Sequence, residues 1–65
     1  MKFRVYIKNE RESWFADYAE PDVKTLSDAE AFGRMIVDYF NGTLQPGELR
    51  REFVKAEIIS SALNS

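Results

Sequence analysis

Acidic side chains are the first residues to weigh, because paired carboxylates exchange protons with a substrate when burial or crowding shifts one of them. Asp17, Asp22, Asp28 and Glu30 come nearest to such a group. Asp28 and Glu30 stand two apart in a stretch that reads as helix, so they point in different directions. Their ordinary role there is to complement the positive end of the helix dipole. No spacing of oxygen ligands matches a calcium loop or another metal pattern. Ser13, Ser27, Ser60 and Ser61 have no histidine to activate them as nucleophiles, since the chain contains none. Gly33, Gly42 and Gly47 form no phosphate-cradling loop, and Arg50-Arg51 with Arg34 reads as solvated surface. The residues therefore predict no enzymatic activity, no cofactor and no metal.

Composition narrows the classes further. Nine basic and eleven acidic residues leave a net charge of −2. That balance suits neither a general polyanion binder nor a mimic of nucleic acid. Without cysteine there is no disulfide, thiol redox chemistry or thiolate metal site. The opening Met1-Lys2-Phe3-Arg4-Val5 alternates and lacks the apolar run of a signal peptide, and no segment approaches membrane-spanning length. A cytoplasmic protein with no membrane partner is the expectation. At 65 residues the chain is one domain near the lower size limit for folding alone, so nearly every large apolar side chain must be used.

The elements that position these residues follow from periodicity. Residues 2 to 8 alternate cleanly, with Phe3, Val5 and Ile7 on one side and Lys2, Arg4, Tyr6 and Lys8 on the other. Asn9-Glu10-Arg11-Glu12 suits a hairpin turn. Residues 13 to 19 form the returning strand, placed with Trp14, Ala16 and Tyr18 inward because Asp17 favours water, which leaves Phe15 outward. Ser27-Asp28-Ala29-Glu30 reads as a capping box, with Thr25 as a competing cap. Ala29, Phe32, Ile36, Tyr39 and Phe40 recur at helical spacing, flanked by Met35, and Asn41-Gly42 offers a left-handed stop. Gly33, inside the helix, suggests close approach of the sheet or a partner. Pro46-Gly47 marks a loop. Residues 51 to 59 form a third strand with Val54, Ala56 and Ile58 inward.

The expected fold is α+β: a ββαβ domain over residues 1–60, with a frayed tail at 61–65. Its three-stranded sheet, antiparallel or mixed, runs in order 2-1-3, with strand one antiparallel to both neighbours. One helix covers one face, and nothing is left to cover the other. That open face would carry Arg4, Tyr6 and Lys8, Phe15, and Arg51, Phe53 and Lys55, an aromatic cluster ringed by cations. Three readings fit it: an ordinary solvated face, a protein interface formed by a homodimer or another chain, or a platform for single-stranded nucleic acid.

The stretch Tyr39-Phe40-Asn41-Gly42-Thr43-Leu44-Gln45-Pro46-Gly47-Glu48-Leu49-Arg50-Arg51-Glu52-Phe53-Val54 resembles a segment of short proteins encoded in bacterial prophages and mobile elements. In those, a helix ends in Phe-Asn and Thr-Leu-x-Pro-Gly-Glu leads into a final strand. The resemblance extends to the leading hairpin and to Thr25-Leu26-Ser27-Asp28-Ala29-Glu30, and implies a bacterial or phage source. It implies no activity, ligand or site residue. The leading functional expectation is a non-enzymatic protein-interaction module using the open face. A single-stranded nucleic-acid binder using Tyr6, Phe15 and Phe53 is the alternative.

Overall fold

The computed structural model describes residues 1–60, and the tail expected at residues 61–65 lies outside the described residues. Strand β1 (Lys2–Lys8) and strand β2 (Ser13–Ala19) form the predicted hairpin. Asn9 sets the turn: its side-chain Oδ1 accepts from the N–H groups of Arg11 (2.8 Å) and Glu12 (2.9 Å). Its own N–H donates to the Glu12 carbonyl at 2.9 Å. An Asn side chain that mimics backbone in this way is a common hairpin device. Phe3, Val5 and Ile7 are buried, and opposite them Tyr18, Ala16 and Trp14 lie half-buried on the same face.

Helix α1 (Leu26–Gly42) begins two residues earlier than a Ser27 cap would place it. Thr25 is the N-cap: its Oγ1 accepts from the Asp28 N–H at 3.1 Å, and Asp28 Oδ2 accepts from the Thr25 N–H at 3.2 Å. Both Ser27-x-x-Glu30 and Thr25-x-x-Asp28 satisfy the reciprocal spacing. The earlier start wins an additional bond, because Asp28 Oδ2 also takes the Lys24 N–H at 3.0 Å. It further lets Val23 be buried just ahead of the cap. At the other end Gly42 stays in the helix, Thr43 caps it by donating its N–H to the Phe40 carbonyl, and the left-handed glycine is Gly47 instead. Gly47 (φ +90°) completes a Gln45–Glu48 turn, closed by the Glu48 N–H on the Gln45 carbonyl at 3.0 Å. Pro46 then Gly47 is the order such a turn requires.

The sheet has the order β2-β1-β3, antiparallel throughout, with β3 spanning Glu52–Ser60. The helix covers one face. Its innermost residues are small, with Ala29, Gly33 and Val37 buried and Phe32 packed against them from the side. The expected stripe was therefore rotated. Ile36 is half-buried and Phe40 is exposed, because the closest approach of helix to sheet runs along the small residues. A Cβ at Gly33 would stand 2.5 Å from Phe53 Cε1 and 3.0 Å from Val5 Cγ1. The glycine is what admits the Phe53 ring.

This corrects the reading of the third strand. Phe53 pairs with Ile7 and packs inward, whereas Val54 is exposed. The pairing steps from Tyr6↔Lys55 to Ile7↔Phe53, so Val54 is an extra residue in a β-bulge, and a second step leaves Ile59 unpaired in the same way. Strict alternation cannot survive such an insertion. Beyond the bulge Ala56 is buried and Ile58 packs against the core, as alternation predicts. Asn41 fixes where β3 enters. Its Oδ1 accepts from the Arg51 N–H and its Nδ2 donates to the Arg51 carbonyl, both at 2.9 Å.

Three sets of substitutions test this packing. Phe53→Ala is expected to cost ~3 kcal/mol in denaturant unfolding, and Val54→Ala no more than ~0.5 kcal/mol; the reverse order would restore simple alternation. Gly33→Ala should lower the melting temperature, because ~1–3 kcal/mol of overpacking outweighs a helix-propensity gain of up to ~1 kcal/mol. That loss should shrink in a Phe53→Leu background. At the cap, Thr25→Ala is expected to cost ~0.5–2 kcal/mol and Ser27→Ala close to nothing by the same measurement.

Candidate interaction face

The face opposite α1 is built on the outward residues of β1. Arg4 lies between Asp17 on β2 and Glu57 on β3, and Tyr6 lies between Phe15 and Lys55. Arg4 makes a two-pronged pair with Asp17, Nε to Oδ1 at 2.7 Å and Nη2 to Oδ2 at 3.2 Å. Its guanidinium also stacks 4.1 Å from the centre of the Phe15 ring. Tyr6 and Phe15 pack tilted, 6.0 Å apart, and Lys55 Nζ sits 4.9 Å over the Tyr6 ring. Lys8 pairs with Glu52 at 3.5 Å and Lys55 with Glu57 at 3.6 Å.

Five of the seven residues expected on this face are there: Arg4, Tyr6, Lys8, Phe15 and Lys55. Two are not. Phe53 belongs to the core for the reason given above. Arg51 lies just ahead of the strand on the helix side, its guanidinium 4.0 Å from the Phe40 ring centre and 5.3 Å from that of Trp14. Val54, turned outward by the bulge, replaces Phe53. With Tyr6, Phe15 and Ser13 it borders an apolar depression of about 260 Å³.

Charge on the face is largely internal. Asp17 lies below the ordinary carboxylate range, first through its hydrogen bonds from Arg4, against an opposing desolvation, and then through the charges of Arg4 and Lys2. Arg4 is raised in turn, first by Asp17 and then by Tyr6. Glu57 is lowered first by the Tyr6 hydroxyl, with Lys55 and Arg4 adding to it. Among the described residues no three acidic side chains gather to hold a metal ion, and no helix is long and apolar enough to cross a membrane.

A second uncovered surface lies on the helix side. The backbone of α1 runs over β1 and β3 and reaches β2 only through side chains, as in the Phe32–Tyr18 contact at 5.3 Å. The inner face of β2 is thus only half covered. The helix flank toward β2 exposes Tyr39 (69%), and Met35 (58%) is exposed on the outer side of the helix. A signal for this was present: at 100° per residue the apolar arc from Met35 to Val37 spans roughly 200°, wider than one packed face needs.

The lowered carboxylates set a pH dependence. Asp17, Glu57 and the helix-capping Asp28, whose first cause is the Lys24 N–H, all titrate below their ordinary values. Each contributes stability present above its unfolded value of about 4 and lost as pH falls through the depressed folded value. The melting temperature is expected to be level near neutrality and to fall below about pH 4. Asp17→Asn and Asp28→Asn should each flatten part of that fall, and an unchanged profile would remove them as its source.

No protein family, curated protein or solved structure matches this chain.

Proposed function

We propose that this chain is a non-enzymatic protein-interaction module that engages a partner protein through the open sheet face. The observation that carries the reading is the pairing of charges there. Arg4, Lys8 and Lys55 each face an acid of the same face, while Tyr6, Phe15 and Val54 around the depression stay accessible. A surface with internally matched charges and exposed apolar groups suits a protein partner, whose interface gains from burying aromatics beside arginine. It suits nucleic acid less well. A single-strand platform needs cations that track phosphates and a run of stacking rings, and Phe53 and Arg51 are both turned away from this face.

The test uses the wild-type chain and the Phe15→Ser and Tyr6→Ser variants as baits in lysate of the source organism, with thermal melts of each. A specific partner should bind wild type at least tenfold more tightly than either variant, with melting temperatures little changed. Chemical shifts of Tyr6 and Phe15 that respond to a single-stranded oligonucleotide, and weaken steeply with salt, would overturn the protein reading in favour of nucleic acid.

A further inference from the structure

We infer that the outer edge of β2 is a pairing edge whose occupant is β2 of a second copy of this chain, joined antiparallel about a two-fold axis at Ala16. The inference is independent of the open-face reading, because it uses backbone groups at the sheet's edge and the side chains on the helix side.

The two edges of the sheet differ. β3 carries two bulges and the charged side chains of Lys55 and Glu57, features that discourage strand addition. β2 pairs with β1 over all seven of its residues without a shift, contains no proline or lysine, and carries one charge, Asp17, which Arg4 already holds. Its outward groups can be assigned. Glu20 exchanges backbone hydrogen bonds with Met1, and Asn9 donates to Glu12, so the even-numbered residues of β2 point their N–H and C=O at β1. Ser13, Phe15, Asp17 and Ala19 therefore present theirs to solvent.

A strand with this pattern is complementary to itself. Centred on Ala16, an antiparallel copy brings Ser13 opposite Ala19 and Phe15 opposite Asp17, so all four outward residues gain partners. Shifting the axis by one residue to Asp17 would set the two Asp17 side chains directly opposite, which is unfavourable. Shifting it to Phe15 would leave Ala19 out. In the Ala16 register the inward side chains pair Trp14 with Tyr18 twice over, with the small Ala16 at the axis. One position beyond the ladder at each end, Glu12 of one copy falls opposite Glu20 of the other, a like-charge pair that opposes pairing past Ser13 and Ala19.

The helix side supplies what an edge alone lacks. In the joined sheet the two helices would stand about four strand spacings apart, roughly 19 Å, about twice the separation of helices in direct contact. The gap lies over the half-covered Trp14 and Tyr18, and Tyr39 of each copy borders it. At ~150–250 Å² per whole aromatic side chain, the uncovered parts of Trp14, Tyr18 and Tyr39 offer roughly 250 Å² per copy. With the backbone edge added, that stays below the ~800 Å² per partner of an ordinary specific interface, as suits a weak dimer that forms with rising concentration.

Sedimentation equilibrium and amide hydrogen exchange on the full chain test this together. The expected result is a dimer in which the Phe15 and Asp17 amides, open in the monomer, become protected as concentration rises. Tyr39→Lys should weaken the dimer at least tenfold while leaving the melt unchanged at dilution, since the position is exposed in one copy. Tyr6→Ser should leave it intact. A chain that stays monomeric to about 1 mM overturns the inference. So does a dimer in which Phe15 and Asp17 amides stay open and Tyr6→Ser dissociates the copies, a result that would leave the open face as the interface. The exchange measurement needs no variant, so it decides even if the substituted chain fails to fold.

Discussion

The contact between the Phe53 ring and the bare backbone of Gly33 is the constraint on which the other features rest. With 2.5 Å between that ring and the position a Cβ would occupy, only glycine lets the helix and β3 close to this distance. Once Phe53 is inward opposite Ile7, while Ala56 is inward opposite Val5, the strand must absorb one extra residue between them. Val54 is that residue. The bulge then decides which apolar side chain borders the open face and which is core. Asn41 acts on the same strand from the helix end, holding both backbone groups of Arg51 one residue before β3 begins.

The same contact determines where the helix lies. Drawn in along Ala29, Gly33 and Val37, α1 settles over β1 and β3 and leaves β2 at the margin. A three-stranded sheet is wider than one helix can cover. The chain accommodates the mismatch with Phe32, which spans from the helix to Phe3 (5.2 Å) and Tyr18 (5.3 Å), and with Arg51, whose guanidinium lies over Phe40 and Trp14. What remains beside β2 is apolar and half covered. A domain this small has little apolar surface to spare, so leaving Tyr39 in water beside the half-covered Trp14 and Tyr18 is a cost that a second copy would reduce.

The open face has a different character. Its aromatics lie under cations, and its cations face acids, so little net field projects from it. Such a surface is stable in water and selective by shape more than by charge. The two surfaces thus offer distinct kinds of recognition on opposite sides of one thin sheet.

Much of this was legible in the amino-acid order. Period-two alternation in residues 2 to 8 and 13 to 19 located the hairpin and its faces, and helical spacing located α1. Three strands and one crossover were enough to imply the order 2-1-3. Gly33 inside a helix pointed to close packing, and Arg4, Tyr6, Lys8, Phe15 and Lys55 were placed on the open face. Each of these depends on interactions local in sequence, or on chain connectivity. Tertiary packing alone decided the rest. Whether Thr25 or Ser27 caps the helix depends on a bond from Lys24 and on the burial of Val23. Which helical residues touch the sheet depends on how near the backbones come. Phe53 and Val54 exchanged faces because a bulge breaks the alternation that sequence periodicity assumes, and the space that makes the bulge favourable lies twenty residues away, at Gly33.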